Sequence, residues 1–191
     1  MSKPATMPLL RIITDLGDIV IELRPDRAPR TVTAFLSEVE KAGFDGGSFG
    51  RIVRADNDRG EPPIEVIQAG AQAAVEQRID VAFETTDESG LRHQDGVISL
   101  PRADEPLATA QGFFICIGDQ PALDARGGRS ADASGFAAFG RVVEGMEVVK
   151  AIHRIPTMEQ APTAFVRGQM ASEPVAIHRI VVESESDHLS V

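Results

Sequence analysis

The 191-residue sequence contains a single cysteine, Cys116. This cysteine has no partner for a disulfide within the chain, and its place in an apolar run indicates that it packs as a small hydrophobe. A fold without disulfides needs no oxidising compartment. The N-terminal residues include no apolar run of signal-peptide length, and no later segment approaches membrane-spanning length. These absences predict a cytoplasmic protein.

Positive charge is also scarce. The chain has 19 lysines and arginines against 29 aspartates and glutamates, which gives a formal net charge of -10. Nucleic acids and anionic membranes are bound through positively charged faces. We therefore expect neither of them as a partner.

Several familiar catalytic and metal-binding patterns are missing. The four histidines have no ligand-like spacing, and no second cysteine joins Cys116, so we expect no metal site. The sequence has no Gly-x-Ser-x-Gly elbow for a serine nucleophile and no Gly-x-x-x-x-Gly-Lys loop for phosphates. No cofactor is predicted.

The sequence does contain a series of short apolar runs of β-strand type. The central run, 113–117, holds five apolar residues between two glycines, which is too short for a buried helix and typical of a strand hidden on both faces. Two other segments have the spacing of amphipathic helices. One covers about 30–42, directly after Pro29, and the other covers 145–152.

Some eight strands with only two helices predict a mainly β fold. The expected architecture is a closed eight-stranded antiparallel β-barrel capped by two α-helices, because closure removes exposed strand edges. We expect one domain over 9–182, with flexible termini at 1–8 and 183–191. The small and charged residues of 125–135 predict a mobile surface loop. His93 is interpreted as a loop residue with local hydrogen bonds.

The order of several motifs along the chain is more specific than any one of them. Together they resemble the cyclophilin family of peptidyl-prolyl cis-trans isomerases, over roughly 9–182. The resemblance implies a barrel with two capping helices and a proline-binding groove on its outer face. It is carried by the segments 49–53 (FGRIV), 66–70 (VIQAG), 96–100 (GVISL), 112–116 (GFFIC), 122–124 (ALD) and 139–146 (FGRVVEGM).

The same resemblance assigns roles to individual residues. It implies that Arg51 is the catalytic arginine and that Gln68 stands beside it. The substrate-binding residues that it implies are Val66, at a position where methionine is usual, together with Phe114, Leu123, Phe136 and Gly112. The implied partners are proline-containing peptides or unfolded protein clients, bound by a monomer.

This assignment agrees with the chemistry of an X-Pro bond. Rotation is slow because amide resonance must be broken, and uncatalysed exchange takes tens to hundreds of seconds. A guanidinium that donates to the prolyl nitrogen withdraws its lone pair from resonance and so stabilises the twisted state.

Six positions depart from the family pattern: Gly50, Glu65, Ala103, Gly112, Ala122 and Phe136. They predict a wider groove with fewer hydrogen-bond donors and weaker substrate binding, and Glu65 is a candidate ion-pair partner for Arg51. The leading hypothesis is an isomerase of reduced activity. The alternative is a catalytically inactive cyclophilin-like module that binds a proline-containing segment or a protein partner.

Overall fold

The structure is a computed structural model, and it describes residues 7–71, 79–102 and 106–183. The expected flexible termini fall mostly on 1–6 and 184–191, outside the described residues. Ala103, one of the six departures from the family pattern, also lies outside them.

The described residues form eleven strands and three α-helices. The helices are α1 (Pro29–Glu40), α2 (Thr86–Ser89) and α3 (Met146–His153), and single 3₁₀ turns cover Pro121–Leu123 and Ala164–Val166. The strands are β1 (Leu9–Thr14), β2 (Gly17–Leu23), β3 (Ser48–Val53), β4 (Val66–Gly70), β5 (Asp80–Val81), β6 (Val97–Leu100), β7 (Ala108–Thr109), β8 (Gly112–Cys116), β9 (Ala137–Glu144), β10 (Thr157–Met158) and β11 (Met170–Val182).

Eight of these strands close into an antiparallel barrel, in the order β1-β2-β9-β6-β8-β4-β3-β11. The barrel closes because β1 pairs with β2 on one side and with β11 on the other; Ile12 lies opposite Ile19 in one pairing and opposite Ile180 in the other. Strand β10 adds to the edge of β11, and β5 and β7 form a separate two-stranded sheet. The predicted closed eight-stranded barrel is confirmed.

The two longer helices pack on the barrel, close to the predicted ranges. Pro29 starts α1, where its missing N–H costs no intrahelical hydrogen bond. Phe35 of α1 is fully buried, and its ring lies 5.7 Å from that of Phe113 and 4.9 Å from that of Phe139. In α3, Val149 and Ile152 are fully buried in the same core.

Alternation along the strands creates two separate apolar clusters. Phe113 points into the barrel interior, whereas Phe114 belongs to a second cluster on the outer face. All five residues of β8 are buried, so the prediction of a strand hidden on both faces is confirmed. The outer cluster consists of Val53, Ile64, Val66, Phe114, Cys116, Ala122 and Leu123, with Phe136 packed against it.

Candidate active site

A cavity of about 330 Å³ opens above the outer cluster. Its apolar lining is Ile64, Val66, Pro101, Phe114, Leu123, Phe136 and Phe165. The remaining lining residues are Arg51, Gly60, Glu61, Gln68, Arg102 and Arg129. An apolar surface beside a few polar groups is typical of a binding site for a small ligand.

Arg51 reaches this cavity because β3 carries an irregularity at Gly50. Phe49 lies opposite Ala69, but Arg51 lies opposite Gln68, so two steps along β3 match one step along β4. In a regular strand, Arg51 would share the interior face with Phe49. The extra residue re-aims the side chain, as β-bulges do, and places Arg51 on the outer face with Gln68.

Two amide groups hold the Arg51 guanidinium. Its Nη1 donates to Oε1 of Gln68 at 2.8 Å, and its Nε donates to Oε1 of Gln169 at 2.9 Å. Within the described part of the chain, no carboxylate forms an ion pair with Arg51, so both partners that hold it are neutral.

Burial and the neighbouring charges shift the pKa of Arg51 in opposite directions. Burial lowers the pKa of the Arg51 guanidinium, the charge of Asp58 raises it and the charge of Arg129 lowers it, with a net result below the ordinary value. A guanidinium nevertheless stays protonated in proteins. The exposed ring of Phe165 lies over it, with the centroid 5.3 Å from Cζ, which is cation–π distance.

The apolar wall is supported from behind by His93. Its imidazole stacks on Phe114 with ring centroids 6.2 Å apart, and Phe136 meets Phe114 edge-on at 5.8 Å. His93 is buried and bonded through Nδ1 to Oδ1 of Asp124 at 2.8 Å and through Nε2 to Oγ of Ser99 at 3.1 Å. His93 lies in a loop, as expected; its bond to Ser99, six residues away, is local, whereas its bond to Asp124 spans 31 residues.

Burial determines the charge of His93. It lowers the pKa of the imidazole, and the hydrogen bond and negative charge of Asp124 only partly offset this. His93 is therefore neutral at neutral pH, which suits a ring stacked in an apolar wall.

The loops that enclose the cavity are fixed by two ion pairs, of which Arg129–Asp58 is buried. Arg129 makes a two-pronged contact with Asp58, and Arg102 bonds Asp132, Ser134 and the carbonyl of Gly135. The 125–135 loop, for which mobility was predicted, contributes Arg129 to the cavity lining and makes these hydrogen bonds to Asp58 and Arg102. Arg102 and Arg129 both line the cavity, and these partners engage the Nη groups of both, whereas Nε of Arg102 is buried without a hydrogen-bond partner among the described residues.

Six of the seven residues assigned to the site line the cavity together: Arg51, Val66, Gln68, Phe114, Leu123 and Phe136. Gly112 does not line it. A Cβ built on Gly112 would lie 3.0 Å from the Ala69 carbonyl oxygen and 3.3 Å from the Pro101 ring. The structure therefore gives Gly112 a packing role between a strand and a loop.

Glu65 points away from Arg51. Its Oε2 lies 3.6 Å from Nε2 of His153, and its neighbour Ile64 occupies the cavity wall instead. The interpretation of Glu65 as a partner of Arg51 was wrong, because alternation along the strand sends Glu65 and Val66 in opposite directions. The ion pair that would have diverted the charge of Arg51 is absent at this position.

Five residues at the site were not predicted from the sequence: Ile64, Arg102, Arg129, Phe165 and Gln169. Phe165 lies in the 3₁₀ turn Ala164–Val166 and Gln169 lies directly before β11, and the sequence around them has no periodicity that reveals an inward face. The proximity of Ile64 to Val66, two residues apart in an extended stretch, was the one usable signal.

The described residues lack two further kinds of feature. None of the helices in 7–71, 79–102 and 106–183 is long and apolar enough to cross a membrane. The same residues contain no group of three or more His, Cys, Asp or Glu side chains placed to hold a metal ion.

Comparison with known proteins gives one consistent answer. The family model described as cyclophilin type peptidyl-prolyl cis-trans isomerase/CLD matches residues 9–181. A peptidyl-prolyl cis-trans isomerase of Streptomyces antibioticus is 28% identical over 179 residues, covering 93% of this chain and 97% of that protein. Another, from Acinetobacter baylyi, is 27% identical over 177 residues, covering 92% of this chain and 86% of that protein.

A solved structure agrees in fold. The Cryptosporidium parvum cyclophilin type peptidyl-prolyl cis-trans isomerase, crystallised in the presence of the dipeptide Ala-Pro, superposes with a TM-score of 0.68 at 20% identity. The match covers 93% of this chain and 99% of that one.

Proposed function

The chain belongs to the cyclophilin-type peptidyl-prolyl cis-trans isomerase family, and from this premise we propose that the cavity beside Arg51 is where it isomerises X-Pro peptide bonds. The main observation in support of this proposal is that an immobilised positive charge lies beside an apolar wall. Arg51 is held by two neutral amides in the same cavity that Phe114 and Leu123 line.

Arg51 supplies the chemistry in this proposal. Its Nη2 group has no hydrogen-bond partner among the described residues, so its N–H groups are available to a ligand. Donation to the prolyl nitrogen favours the pyramidal nitrogen of the twisted bond over the planar nitrogen of either isomer. A 10⁴-fold acceleration requires stabilisation of the twisted state by only about 5–6 kcal/mol.

The apolar wall holds the pyrrolidine ring while the preceding carbonyl rotates. Val66, Phe114, Leu123 and Phe136 form a surface that suits a ring without hydrogen-bond donors. The Cryptosporidium parvum relative was crystallised in the presence of Ala-Pro, which supports a proline-containing peptide as the ligand class.

We propose unfolded chains with exposed X-Pro bonds as clients. We also propose that the functional unit is a monomer with a single domain over 9–182.

The test is NMR exchange spectroscopy on a short peptide containing Ala-Pro. Catalytic amounts of the protein are expected to shorten cis-trans exchange from tens or hundreds of seconds to about a second or less. Chemical-shift changes at Phe114 and Leu123 should accompany binding. Saturable binding at these residues with unaltered exchange would overturn the proposal and favour the binding module.

A further inference from the structure

Gln169 is a buried glutamine that contacts the Arg51 side chain from a distant part of the sequence. It is fully buried at the end of the irregular segment that precedes β11, 118 residues from Arg51. Its Oε1 accepts a hydrogen bond from Arg51 Nε at 2.9 Å.

The rest of Gln169 is fixed as well. Its side-chain Nε2 donates to the backbone carbonyl oxygen of Asn57 at 2.9 Å. Its backbone carbonyl oxygen accepts from the backbone N–H of Ile52 at 2.8 Å. A buried amide is costly unless its groups are hydrogen-bonded, and these contacts satisfy both ends of the side chain. The amide therefore has one defined orientation, with its oxygen toward Arg51.

A second contact completes the geometry. An arginine side chain has many rotamers, and one hydrogen bond leaves its planar head free to rotate. Here Gln169 holds Nε and Gln68 holds Nη1, so two edges of the guanidinium plane are fixed and Nη2 is left for a ligand. Gln68 is half-exposed in the cavity, whereas Gln169 lies behind it.

We infer that Gln169 is a positioning residue for the isomerisation, which orients the Arg51 guanidinium toward the prolyl nitrogen without touching the substrate. This inference rests on the proposed function of Arg51. Both oxygens that hold Arg51 belong to neutral amides. The guanidinium is therefore oriented without a hydrogen-bonded carboxylate, whose negative charge would offset the positive charge that acts on the twisted X-Pro bond. Misplacement of a catalytic group by about 1 Å can cost about 100-fold in rate.

The test replaces Gln169 by methionine, which has a similar length but no amide. We expect Gln169→Met to lower kcat by about 10- to 100-fold while KM for the peptide changes by less than about twofold. The ¹⁵N–¹H resonance of Arg51 Nε should shift or broaden in the same variant, because its acceptor is gone. A structural role alone would lower the melting temperature and shift this resonance, but it would leave kcat unchanged in the folded protein.

Gln120 offers a matched control. It is also buried, and its side-chain amide likewise makes two hydrogen bonds, accepting from Glu65 N at 3.2 Å and donating to the Ile117 carbonyl at 2.6 Å. Gln120→Met removes an equivalent pair of hydrogen bonds away from Arg51. It should lower stability but leave kcat and the Arg51 Nε resonance as in the wild type.

The outcomes separate this inference from the proposed function. A wild type without Arg51-dependent activity would refute the proposed function, whatever Gln169 does. Arg51-dependent activity with a wild-type kcat in folded Gln169→Met would refute only the positioning role. If the methionine variant does not fold, exchange of the Arg51 Nε proton in the wild type decides: protection supports the inference, and exchange as fast as in free arginine overturns it.

Discussion

Asp58 and Arg129 form a bidentate, buried ion pair between two loops that line the cavity. Nη1 lies 2.9 Å from Oδ2 and Nη2 lies 2.8 Å from Oδ1, and the side chains are 1% and 8% exposed. Nη1 also donates to the Pro62 carbonyl at 2.9 Å. Burial would raise the pKa of Asp58, but Arg129 and the backbone N–H groups of Ile64 and Gly60 outweigh it and lower the pKa.

Loss of either partner should therefore destabilise the protein strongly. Asp58→Ala or Arg129→Ala is each expected to lower the free energy of unfolding by about 3–5 kcal/mol, because the remaining charge is left buried without its partner. The double variant should lose much less than the sum of the two. Urea unfolding of all four proteins gives the coupling energy, and additive losses would show that the two loops are not held by this pair.

Phe165 should contribute to substrate binding more than to the chemical step. Its ring is 58% exposed, lines the cavity and lies over Arg51. Phe165→Ala removes apolar contact area worth about 1 kcal/mol, so we expect KM to rise about fivefold while kcat changes little. Leu16→Ala, at an apolar residue that is 49% exposed outside the cavity, is the control and should leave both constants unchanged. A loss confined to kcat would contradict this role.

His93 should make stability depend on pH below neutrality. Burial lowers the pKa of its imidazole in the folded state, so the unfolded chain binds the proton more readily, beginning near the ordinary value of about 6.5. The free energy of unfolding should therefore fall as the pH is lowered from about 7.5 to about 5. His153, whose pKa burial also lowers, adds to the same slope.

The substitution His93→Gln removes one of these two titrating groups and should reduce the slope without abolishing it. Urea unfolding at several pH values measures this. His178→Gln, at an exposed histidine, should leave the slope in place because His93 is still present. An undiminished slope in His93→Gln would show that this imidazole does not stay neutral when buried.

Gly50 and Gly112, two of the positions that depart from the family pattern, are expected to respond differently to alanine. A Cβ on Gly50 would meet Ser48 Oγ at 3.6 Å, an ordinary contact, so Gly50→Ala should keep both fold and activity. At Gly112 the added carbon is crowded by backbone and by Pro101, so Gly112→Ala should cost about 1–3 kcal/mol of stability. Its kcat and KM per folded molecule should match the wild type. A large rise in KM instead would place Gly112 in the binding site.

The elements that the sequence predicted correctly depend on local patterns. The short apolar runs were enough to predict a closed barrel, and the resemblance of the ordered motifs to the family identified six of the thirteen residues that line the cavity. The side that a residue faces was harder to predict. Whether Arg51 points outward depends on the bulge at Gly50, and whether Glu65 or Ile64 faces the cavity depends on the phase in which the chain enters β4.

The residues that the sequence did not reveal act across long separations. His93 supports Phe114 through Asp124, and Gln169 meets Arg51 across 118 residues. Neither histidine nor glutamine carries a local signal for such a contact. Only the folded chain brings them together.

The most direct measurement compares kcat for the Ala-Pro peptide in the wild type, Arg51→Ala and Arg51→Lys, with Arg179→Ala as a control at an exposed arginine of β11. We expect Arg51→Ala to lower kcat by about 10²- to 10³-fold with KM nearly unchanged, since the guanidinium acts mainly on the twisted state. Lysine should recover little, because a single ammonium cannot hold both amide oxygens and still reach the substrate. Wild-type kcat in a folded Arg51→Ala protein would contradict the assignment of catalysis to this guanidinium.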